Sequence, residues 1–150
     1  MILIYTDGST LKNPGPGGWA ALLMEDGGVR ELTGVDPATT NNRMEMMGVI
    51  EGLRTTPYGA EVQVYSDSAY VVNCFLQKWF VKWKRNGWVN SMGKPVENQD
   101  LWEVLLGLVR DRQVEFVKVK GHASNEFNNR CDELAGIAAR SQFENQGEKV

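Results

Sequence analysis

A short apolar run at the start of the chain, Ile2 to Thr6, ends in the pair Asp7-Gly8. The run is rich in β-branched and aromatic residues, which fits a buried strand better than a helix. Because side chains alternate along a strand, Leu3, Tyr5 and Asp7 share one face. Asp7 then lies where a central strand ends, beside a glycine that lets a ligand approach the backbone. An ordinary turn aspartate is the alternative, since Asp-Gly is a common turn pair.

The order of apolar segments and turn signals predicts a mixed sheet of five strands. Two short runs joined by a turn at Glu25 to Gly28 follow the first strand and form an antiparallel meander. Later strands alternate with helices, which implies right-handed parallel crossovers. The predicted strands are Ile2–Ser9, Trp19–Met24, Val29–Gly34, Val62–Asp67 and Val114–Val119. The fold class is therefore α/β, with helices flanking the sheet.

Amphipathic segments between and after the strands predict the helices. Residues Thr39 to Asn42 all suit an N-cap, and an apolar stripe from Met46 to Leu53 follows them. The other predicted helices run from Ser68 through Phe75, from Asn98 to Arg112, and from about Phe127 or Asn129 to Arg140. We expect turns or loops over Lys12–Gly18, Val35–Asn42 and Lys120–Asn128, and a frayed polar tail over 142–150.

Size and composition limit the class of protein. A chain of 150 residues suits a single domain, and 42% hydrophobic with 23% charged residues is typical of a soluble globular protein. No apolar run approaches the roughly 20 residues of a membrane helix. Cys74 and Cys131 form no metal or redox motif, and with no export signal they predict a reducing, cytoplasmic location. A net charge of −3 excludes a uniformly basic nucleic-acid binder, so such binding needs a local patch.

Four acidic residues occupy places from which a shared site can form. Asp7 and Asp67 end predicted strands, and ligands of open α/β sheets gather at the carboxyl ends of strands. Glu45 lies one turn into a predicted helix and Asp132 lies near the start of the last one. Singly, both fit solvated acids in the first turns of helices. Together, carboxylates without a cysteine–histidine cluster favour hard cations such as Mg2+ or Mn2+, and two such metals suit phosphoryl displacement.

Six short motifs, in this order along the chain, resemble those of type 1 ribonuclease H of the bacterial kind. They are Tyr5-Thr6-Asp7-Gly8-Ser9, Asn13–Gly18, Thr39–Glu45, Ser66-Asp67-Ser68, Lys120-Gly121-His122 and Arg130–Ala135. The resemblance covers Met1 to about Arg140 and implies a ribonuclease H-like fold. It also implies an endonuclease that hydrolyses the RNA strand of RNA–DNA hybrids, leaving 5′-phosphate and 3′-hydroxyl ends. It makes the catalytic metal ligands Asp7, Glu45, Asp67 and Asp132, holding two Mg2+ ions for which Mn2+ can substitute.

His122, the only histidine of the sequence, follows Gly121 in a polar loop before the helix that carries Asp132. A group that titrates near neutral pH suits proton transfer there, although a lone histidine is often structural. The resemblance makes His122 catalytic, as a helper in proton transfer or product release. Three positions depart from the family pattern. Ser124 follows the His122-Ala123 pair where many members have glycine. Phe127 occupies a usually polar position, and Ala69 stands where relatives often have a glutamine that touches nucleic acid.

A basic and aromatic segment, about residues 79–94, resembles the handle with which bacterial members hold the hybrid. No acidic residue occurs from Ser68 to Val96, and basic side chains among aromatic ones suit a phosphate backbone and its sugars. The predicted contacts are Lys78, Trp79, Lys82, Lys84, Arg85 and Trp88. The alternative is a solvated helix whose tryptophans belong to the core. We expect some tryptophans to pack inside and the lysines to face outward.

Amide and backbone groups near the acids predict contacts with the RNA strand. Distinguishing RNA from DNA requires sensing the 2′-hydroxyl in a shallow minor groove. The resemblance assigns Gly8, Asn13 and Asn42 to the RNA strand and Thr40 to a phosphate pocket on the DNA strand. Asn41 is a further candidate, for which turn or cap duty is an equally good interpretation.

The leading hypothesis is a monomeric, metal-dependent hybrid nuclease that does not act at a membrane. One rival is a non-catalytic nucleic-acid-binding module that keeps the fold, which the presence of all four acids disfavours. Another is a resolvase or integrase core, against which the handle and the Asn41-Asn42 pair argue.

Overall fold

A computed structural model, which describes residues 1–120 and 125–148, contains a five-stranded mixed sheet. Its strands are β1 (Ile2–Thr10), β2 (Gly15–Glu25), β3 (Gly28–Thr39), β4 (Glu61–Ser66) and β5 (Gln113–Lys118), in the order β3-β2-β1-β4-β5. β1 is the central strand, antiparallel to β2 and parallel to β4. β2 and β3 form the antiparallel meander, and β4 pairs with β5 in parallel. The predicted fold class is confirmed.

Helices cover the two faces of this sheet. They are α1 (Asn41–Arg54), α2 (Ala69–Leu76), α3 (Trp79–Asn86), α4 (Gln99–Arg110) and α5 (Glu126–Glu148). One buried cluster joins Ile2 and Ile4 of β1 to the apolar stripe of α1, with Trp102 of α4 fully buried among them. A second cluster joins Tyr5 of β1 to Cys131 and other residues of α5 on the opposite face. The alternation of β1 therefore feeds two separate cores.

The two cysteines divide between these cores. Cys74 of α2 belongs to the first cluster and Cys131 of α5 to the second. Both are free thiols with no exposed surface. Burial raises the pKa of the Cys74 thiol to about 12 and raises the pKa of Cys131 further still. Neither thiol is ionised near neutral pH, so both act as small apolar side chains.

The meander strands are longer than the sequence predicts. β2 already begins at Gly15, inside the predicted turn cluster, and β3 continues to Thr39 through most of the predicted loop. Pro37 has no N–H to donate, but β3 is an edge strand and tolerates it. The two strands shift register between Gly15 and Gly17, which absorbs the irregularity.

The last helix also exceeds its prediction at both ends. α5 starts at Glu126, inside the predicted loop, because the Asn125 side chain accepts hydrogen bonds from the backbone N–H groups of Phe127 and Asn128. It continues to Glu148, so the prediction of a frayed tail from residue 142 is wrong up to that point. The segment contains no proline, and extending an existing helix is much easier than starting one.

Small residues let α5 approach the sheet closely. Gly18 of β2 lies against the face of α5 that carries Ala135, Ala138 and Ala139. A Cβ at Gly18 would lie 2.5 Å from the Ala138 Cβ and 2.7 Å from the Ala139 backbone nitrogen. The small residues Ala135 and Ala139, three and seven positions after Asp132, thus allow α5 to lie close to the sheet, while Asp132 itself is exposed.

Among residues 1–120 and 125–148, no helix combines the length and the apolar character that crossing a membrane requires.

We predict that Gly18→Ala lowers the free energy of unfolding by about 1–3 kcal/mol, because the added methyl meets backbone atoms of α5 that cannot rotate away. Urea denaturation measures this loss. Gly28→Ala is the matched control, since a Cβ there meets only the Glu25 carbonyl oxygen at 3.5 Å. Equal stabilities of the two variants would show that α5 does not press on β2.

Candidate active site

Strand register brings two of the predicted acids side by side. Tyr5 of β1 is paired with Tyr65 of β4 at the end of the parallel ladder, so Asp7 and Asp67 follow at equivalent positions just beyond it. Asp7 lies inside β1, which continues to Thr10, and is not at the end of the strand as the sequence predicts. Glu45 reaches the same place from the first turns of α1. This approach needs Gly8, because a Cβ on it would collide with backbone atoms of Met44 and Glu45. Gly8 therefore admits the backbone of α1, and its predicted contact with a ligand stays a prediction.

Carboxylate oxygens of Asp7, Glu45 and Asp67 lie within 4.8 Å of one another. They line a cavity of about 530 Å³. Asp132 is exposed and lines the same cavity from α5, but it is outside the group of three. The structure therefore brings three predicted ligands together and leaves the fourth at the rim, where its side chain still reaches that of Asp7.

Burial and mutual repulsion make the acids hold protons. Asp7 is 3% exposed, and its burial, with the nearby charge of Asp67, raises its pKa from 3.8 to about 7. Burial raises the pKa of Glu45 well above its usual value, and the charge of Asp7 adds to this shift. When Glu45 is protonated, its side chain donates a hydrogen bond to Asp7. This hydrogen bond lowers the pKa of Asp7 and partly offsets the rise caused by burial. These shifts are typical of a functional site in which charges are forced together.

The donor set fits a divalent cation with a preference for oxygen. All members of the group of three are carboxylates. The Oε2 atom of Glu45 is buried and has no hydrogen-bond partner among the described residues. An unsatisfied buried oxygen is costly, and a bound cation would satisfy it while relieving the repulsion that raises both pKa values. The residues present therefore fit a metal.

The predicted RNA-strand residues surround this cavity. Gly8, Asn41 and Asn42 line it, and both asparagines are exposed. Asn13 is exposed but lies outside the lining, and its side-chain oxygen accepts a hydrogen bond from the Asn41 backbone N–H at 3.3 Å. Asn41 in turn accepts one from the Thr10 hydroxyl at 2.6 Å. Asn13 and Asn41 thus hold the loop and the start of α1 together, and their amide N–H groups remain for a ligand.

Thr40 is the N-cap of α1, chosen from the four candidates in the sequence. Its hydroxyl oxygen accepts a hydrogen bond from the backbone N–H of Arg43 at 3.2 Å. The hydroxyl hydrogen is left to donate, so capping is compatible with the predicted phosphate contact. The guanidinium of Arg43 forms a bidentate pair with Asp100 of α4, at 3.0 and 2.8 Å, which ties α1 to α4 beside the site.

Within the handle, basic and aromatic side chains separate as predicted. The basic side chains are all exposed: Lys78, Lys82, Lys84, Arg85 and Lys94. The tryptophans are half-buried and pack on the first core: Trp79, Trp83 and Trp88. Trp83 contacts Trp102 of that core, with ring centroids 5.7 Å apart. The charged surface of the handle is thus free for a ligand, while its rings mainly anchor it.

His122 lies outside the described residues, so its role stays a prediction. The sequence interpretation missed Ser9, Thr10, Ser68 and Tyr70, which also line the cavity. Ser68 follows Asp67 directly and Tyr70 lies three residues after it, and this closeness in sequence is the available signal. The Tyr70 hydroxyl accepts hydrogen bonds from Asn98 at 3.2 Å and Trp102 at 3.0 Å, so the wall of the cavity is held by α4. Ala69 also lines the cavity and is exposed.

Known proteins resemble this chain over most of its length. The family described as RNase H matches residues 1–140. A protein named Ribonuclease H from Symbiobacterium thermophilum is 57% identical over 143 residues, covering 94% of this chain and 97% of that protein. A protein of the same name from Thermoanaerobacter sp. is 53% identical over 135 residues, covering 90% of this chain and 87% of that protein.

Solved structures share the fold. LC9-RNase H1, described as a type 1 RNase H with the type 2 active-site motif, matches with a TM-score of 0.81 at 34% identity, covering 94% of this chain and 72% of that one. LC11-RNase H1, solved in complex with an RNA/DNA hybrid, matches with a TM-score of 0.71 at 24% identity, covering 95% and 99%. The second likeness is one of fold alone.

We predict that Asp7→Asn stabilises the metal-free chain. Because Asp7 binds its proton more tightly when folded, the wild-type stability falls as the pH rises from near 3.8 to about 7. The Asp7→Asn variant has no ionisable group at this position, so its stability does not fall in this way over the same pH range. Above the raised pKa, its free energy of unfolding in EDTA should exceed that of the wild type by at least about 1.4 kcal/mol, the equivalent of one pKa unit.

Asp26→Asn, in the exposed turn between β2 and β3, is the matched control and should change little. Denaturant unfolding over a pH series measures all three chains. An Asp7→Asn chain that is no more stable than wild type above neutral pH would contradict the crowding of these carboxylates.

Proposed function

Because the chain belongs to the ribonuclease H family, we propose that it is a metal-dependent endonuclease that hydrolyses the RNA strand of RNA–DNA hybrids, leaving 5′-phosphate and 3′-hydroxyl ends. The observation that supports this most directly is the group of three carboxylates with the unpartnered Glu45 oxygen. A fold alone does not imply a function, and this site is what a phosphodiester hydrolase needs.

Members of this family depend on metal ions, and the acidic group of this chain is suited to binding them. The ion is Mg2+, with Mn2+ as a possible substitute, and two ions act in the working complex. Asp7, Glu45, Asp67 and Asp132 hold them. When bound, such cations lower the pKa of a water and neutralise the charge that develops on the scissile phosphate.

The chain itself positions the substrate and keeps the acids ready. The exposed amides of Asn41 and Asn42, with the backbone at Gly8, sense the 2′-hydroxyls of the RNA strand from the cavity wall. Asn13 adds an amide at the rim. His122 assists proton transfer or product release, since an imidazole titrates near the working pH. Catalysis thereby combines orientation of the phosphate with electrostatic stabilisation.

The DNA strand is held by a second set of contacts. Thr40 donates its free hydroxyl hydrogen to a phosphate, and the handle lays Lys78, Lys82, Lys84 and Arg85 along the backbone. Trp79 and Trp88, half-buried in the handle, contact the sugars with the part of each ring that stays exposed. Residues 1–150 then form a single catalytic domain that carries its own hybrid-binding handle.

We infer that the enzyme works as a monomer in the cytoplasm. The three clustered acids and the cavity walls all come from one chain, so no partner is needed to complete the site. Both thiols are free, which suits a reducing compartment.

A non-catalytic hybrid-binding module is the rival interpretation. It has no use for three carboxylates forced within 4.8 Å, since their repulsion weakens both the fold and the binding of a polyanion. The Asp7→Asn variant separates the two functions: a binding module keeps its affinity and an enzyme loses its turnover.

Cleavage of an end-labelled RNA–DNA hybrid, with duplex RNA and duplex DNA as comparison substrates, tests the proposal. We expect only the RNA of the hybrid to be cut, in Mg2+ or Mn2+ and not in EDTA. Asp7→Asn should lose more than about 100-fold in turnover, beyond what residues that merely support a metal ligand contribute. Asp26→Asn should cut normally. Near-normal turnover of Asp7→Asn in Mg2+ would overturn the assignment of the site.

A triple change of Lys82, Lys84 and Arg85 to alanine should weaken hybrid binding in a salt-dependent way. For duplex DNA the slope of log affinity against log salt is about −0.9 per phosphate neutralised. The slope should therefore flatten by up to about 3 units. Turnover at saturating hybrid should hold and KM should rise, because contacts remote from the acids bind the ground and transition states alike.

The matched control removes Arg30, Arg54 and Arg140, which are exposed on β3, α1 and α5 and lie outside the handle. It changes the net charge equally and should leave the salt slope unchanged. If both triple variants flatten the slope alike, overall charge and not the handle holds the hybrid.

A further inference from the structure

Two stacked tyrosine rings and a tilted phenylalanine ring form a group that we call the aromatic stack. The rings of Tyr5 and Tyr65 are parallel within 8°, with centroids 4.5 Å apart. The ring of Phe127 lies 5.4 Å from that of Tyr5 and is tilted by 44°. Phe127 is the residue at which the sequence departs from the polar family pattern. Its ring therefore packs against the Tyr5 ring of the stacked pair.

Each ring belongs to an element that carries one of the acids. Tyr5 precedes Asp7 by two residues on β1, and Tyr65 precedes Asp67 by two residues on β4. Residues two apart on a strand share a face, so each tyrosine and its aspartate point to the same side of the sheet. Phe127 lies in the first turn of α5, which carries Asp132 at its exposed rim. The stack thus connects the three elements from which these aspartates project.

Hydrogen bonds hold the Tyr65 side chain and the Tyr5 backbone in place. The thiol of Cys131, next to Asp132, donates to the Tyr5 carbonyl oxygen at 3.2 Å. The Tyr65 hydroxyl donates to the Gln63 side-chain oxygen at 2.9 Å, and the Gln63 amide donates to Glu115 of β5 at 3.2 Å. Tyr65 is therefore held on the sheet, and α5 is held to Tyr5 beside the acid it carries.

Asp132 has the greatest need of such support. It is exposed, lies outside the group of three, and comes from α5, which packs on the face of the sheet that carries Tyr5. The close packing of α5 at Gly18 involves residues from Ala135 onward, which are farther along the helix. At the turn that precedes Asp132, Phe127 packs on Tyr5, beside the Cys131 hydrogen bond to the Tyr5 carbonyl oxygen and the ion pair of Arg130 with Glu31 of β3.

We propose that Phe127 is a positioning residue, which acts through the Tyr5–Tyr65 pair to hold Asp132 where it completes the metal site with Asp7 and Asp67. The inference rests on the proposed function, because it assigns Asp132 to the metal. Phe127 touches neither the metal nor the substrate. Its loss should therefore weaken metal binding by displacing Asp132, with no change in the ligands themselves.

Calorimetric titration of the hybrid-free protein with Mg2+ tests this, together with the Mg2+ concentration for half-maximal cleavage. Residues that orient a metal ligand typically contribute about 10–100-fold to metal affinity. We expect Phe127→Ala to weaken Mg2+ binding by about 10-fold, the lower end of that range, and Phe127→Tyr to restore it. If Phe127→Ala does not fold, Phe127→Leu gives the same comparison with the bulk retained and the ring stack lost.

Phe75→Ala is the matched control. Phe75 stacks on Phe116 of β5 with centroids 4.1 Å apart and an angle of 7°, but in the first core and away from the acids. It should lower thermal stability as much as Phe127→Ala and leave Mg2+ affinity unchanged. An equal loss of Mg2+ affinity in both variants would overturn the inference, because the effect would then follow stability alone.

A double-mutant cycle shows whether Phe127 acts through Asp132. In an Asp132→Asn background, Phe127→Ala should cause no further loss of Mg2+ affinity, while its effect on thermal stability persists. Additive losses of Mg2+ affinity would overturn the inference. A wild-type chain that cleaves hybrid and binds Mg2+, beside a Phe127→Ala chain that binds equally well, would overturn the inference alone. A wild-type chain that neither binds Mg2+ nor cleaves hybrid would overturn the proposed function as well.

Discussion

The repulsion among three crowded carboxylates is the constraint on which the rest of the structure depends. Oxygens of Asp7, Glu45 and Asp67 are held within 4.8 Å, although burial and like charge raise the pKa values of Asp7 and Glu45. Such a group persists only where the surrounding structure leaves it no room to spread. Three features restrict how far the carboxylates can move apart. They are the parallel register of β1 and β4, the close approach of α1 at Gly8, and the aromatic stack. The fold therefore keeps the carboxylates close enough to share a cation.

The sequence predicts the centre of this arrangement because the relevant signals are local. Ile2 to Asp7 alternates as a strand, and an acid at the end of a strand in an α/β sheet points toward the ligand-binding edge. The extended β2 and β3 were not predicted, because Pro37 and the glycines around Gly15 normally mark turns. Pro37 is acceptable within a strand only because β3 lies at the edge of the sheet. That place is a property of the whole sheet, which a local pattern does not contain.

Long-range contacts account for the remaining differences. Four adjacent residues suited the N-cap of α1, and the choice of Thr40 follows from the hydrogen bonds of Asn41 to Thr10 and Asn13 on neighbouring elements. Phe127 looked like a disturbance of a polar loop, because its partners Tyr5 and Tyr65 are distant in sequence. The handle was predicted correctly as a mixture, since exposed lysines and half-buried tryptophans follow from composition alone. Neither the sequence pattern nor the composition shows that Asp132 lies at the rim of the cavity, outside the group formed by the other three acids.

Because the two buried thiols lie in different cores, the reactivity of each thiol reports the local opening of its own core. Cys74 lies in the core between the sheet and α1, α2 and α4, whereas Cys131 lies in the core beneath α5. A thiol reagent reaches either sulfur only when the layer above it separates from the sheet. The reaction rates of the two cysteines with such a reagent therefore measure, in one sample and without any engineered label, how often each layer of the molecule detaches. A layer that opens alone reveals a cooperative unit smaller than the whole chain.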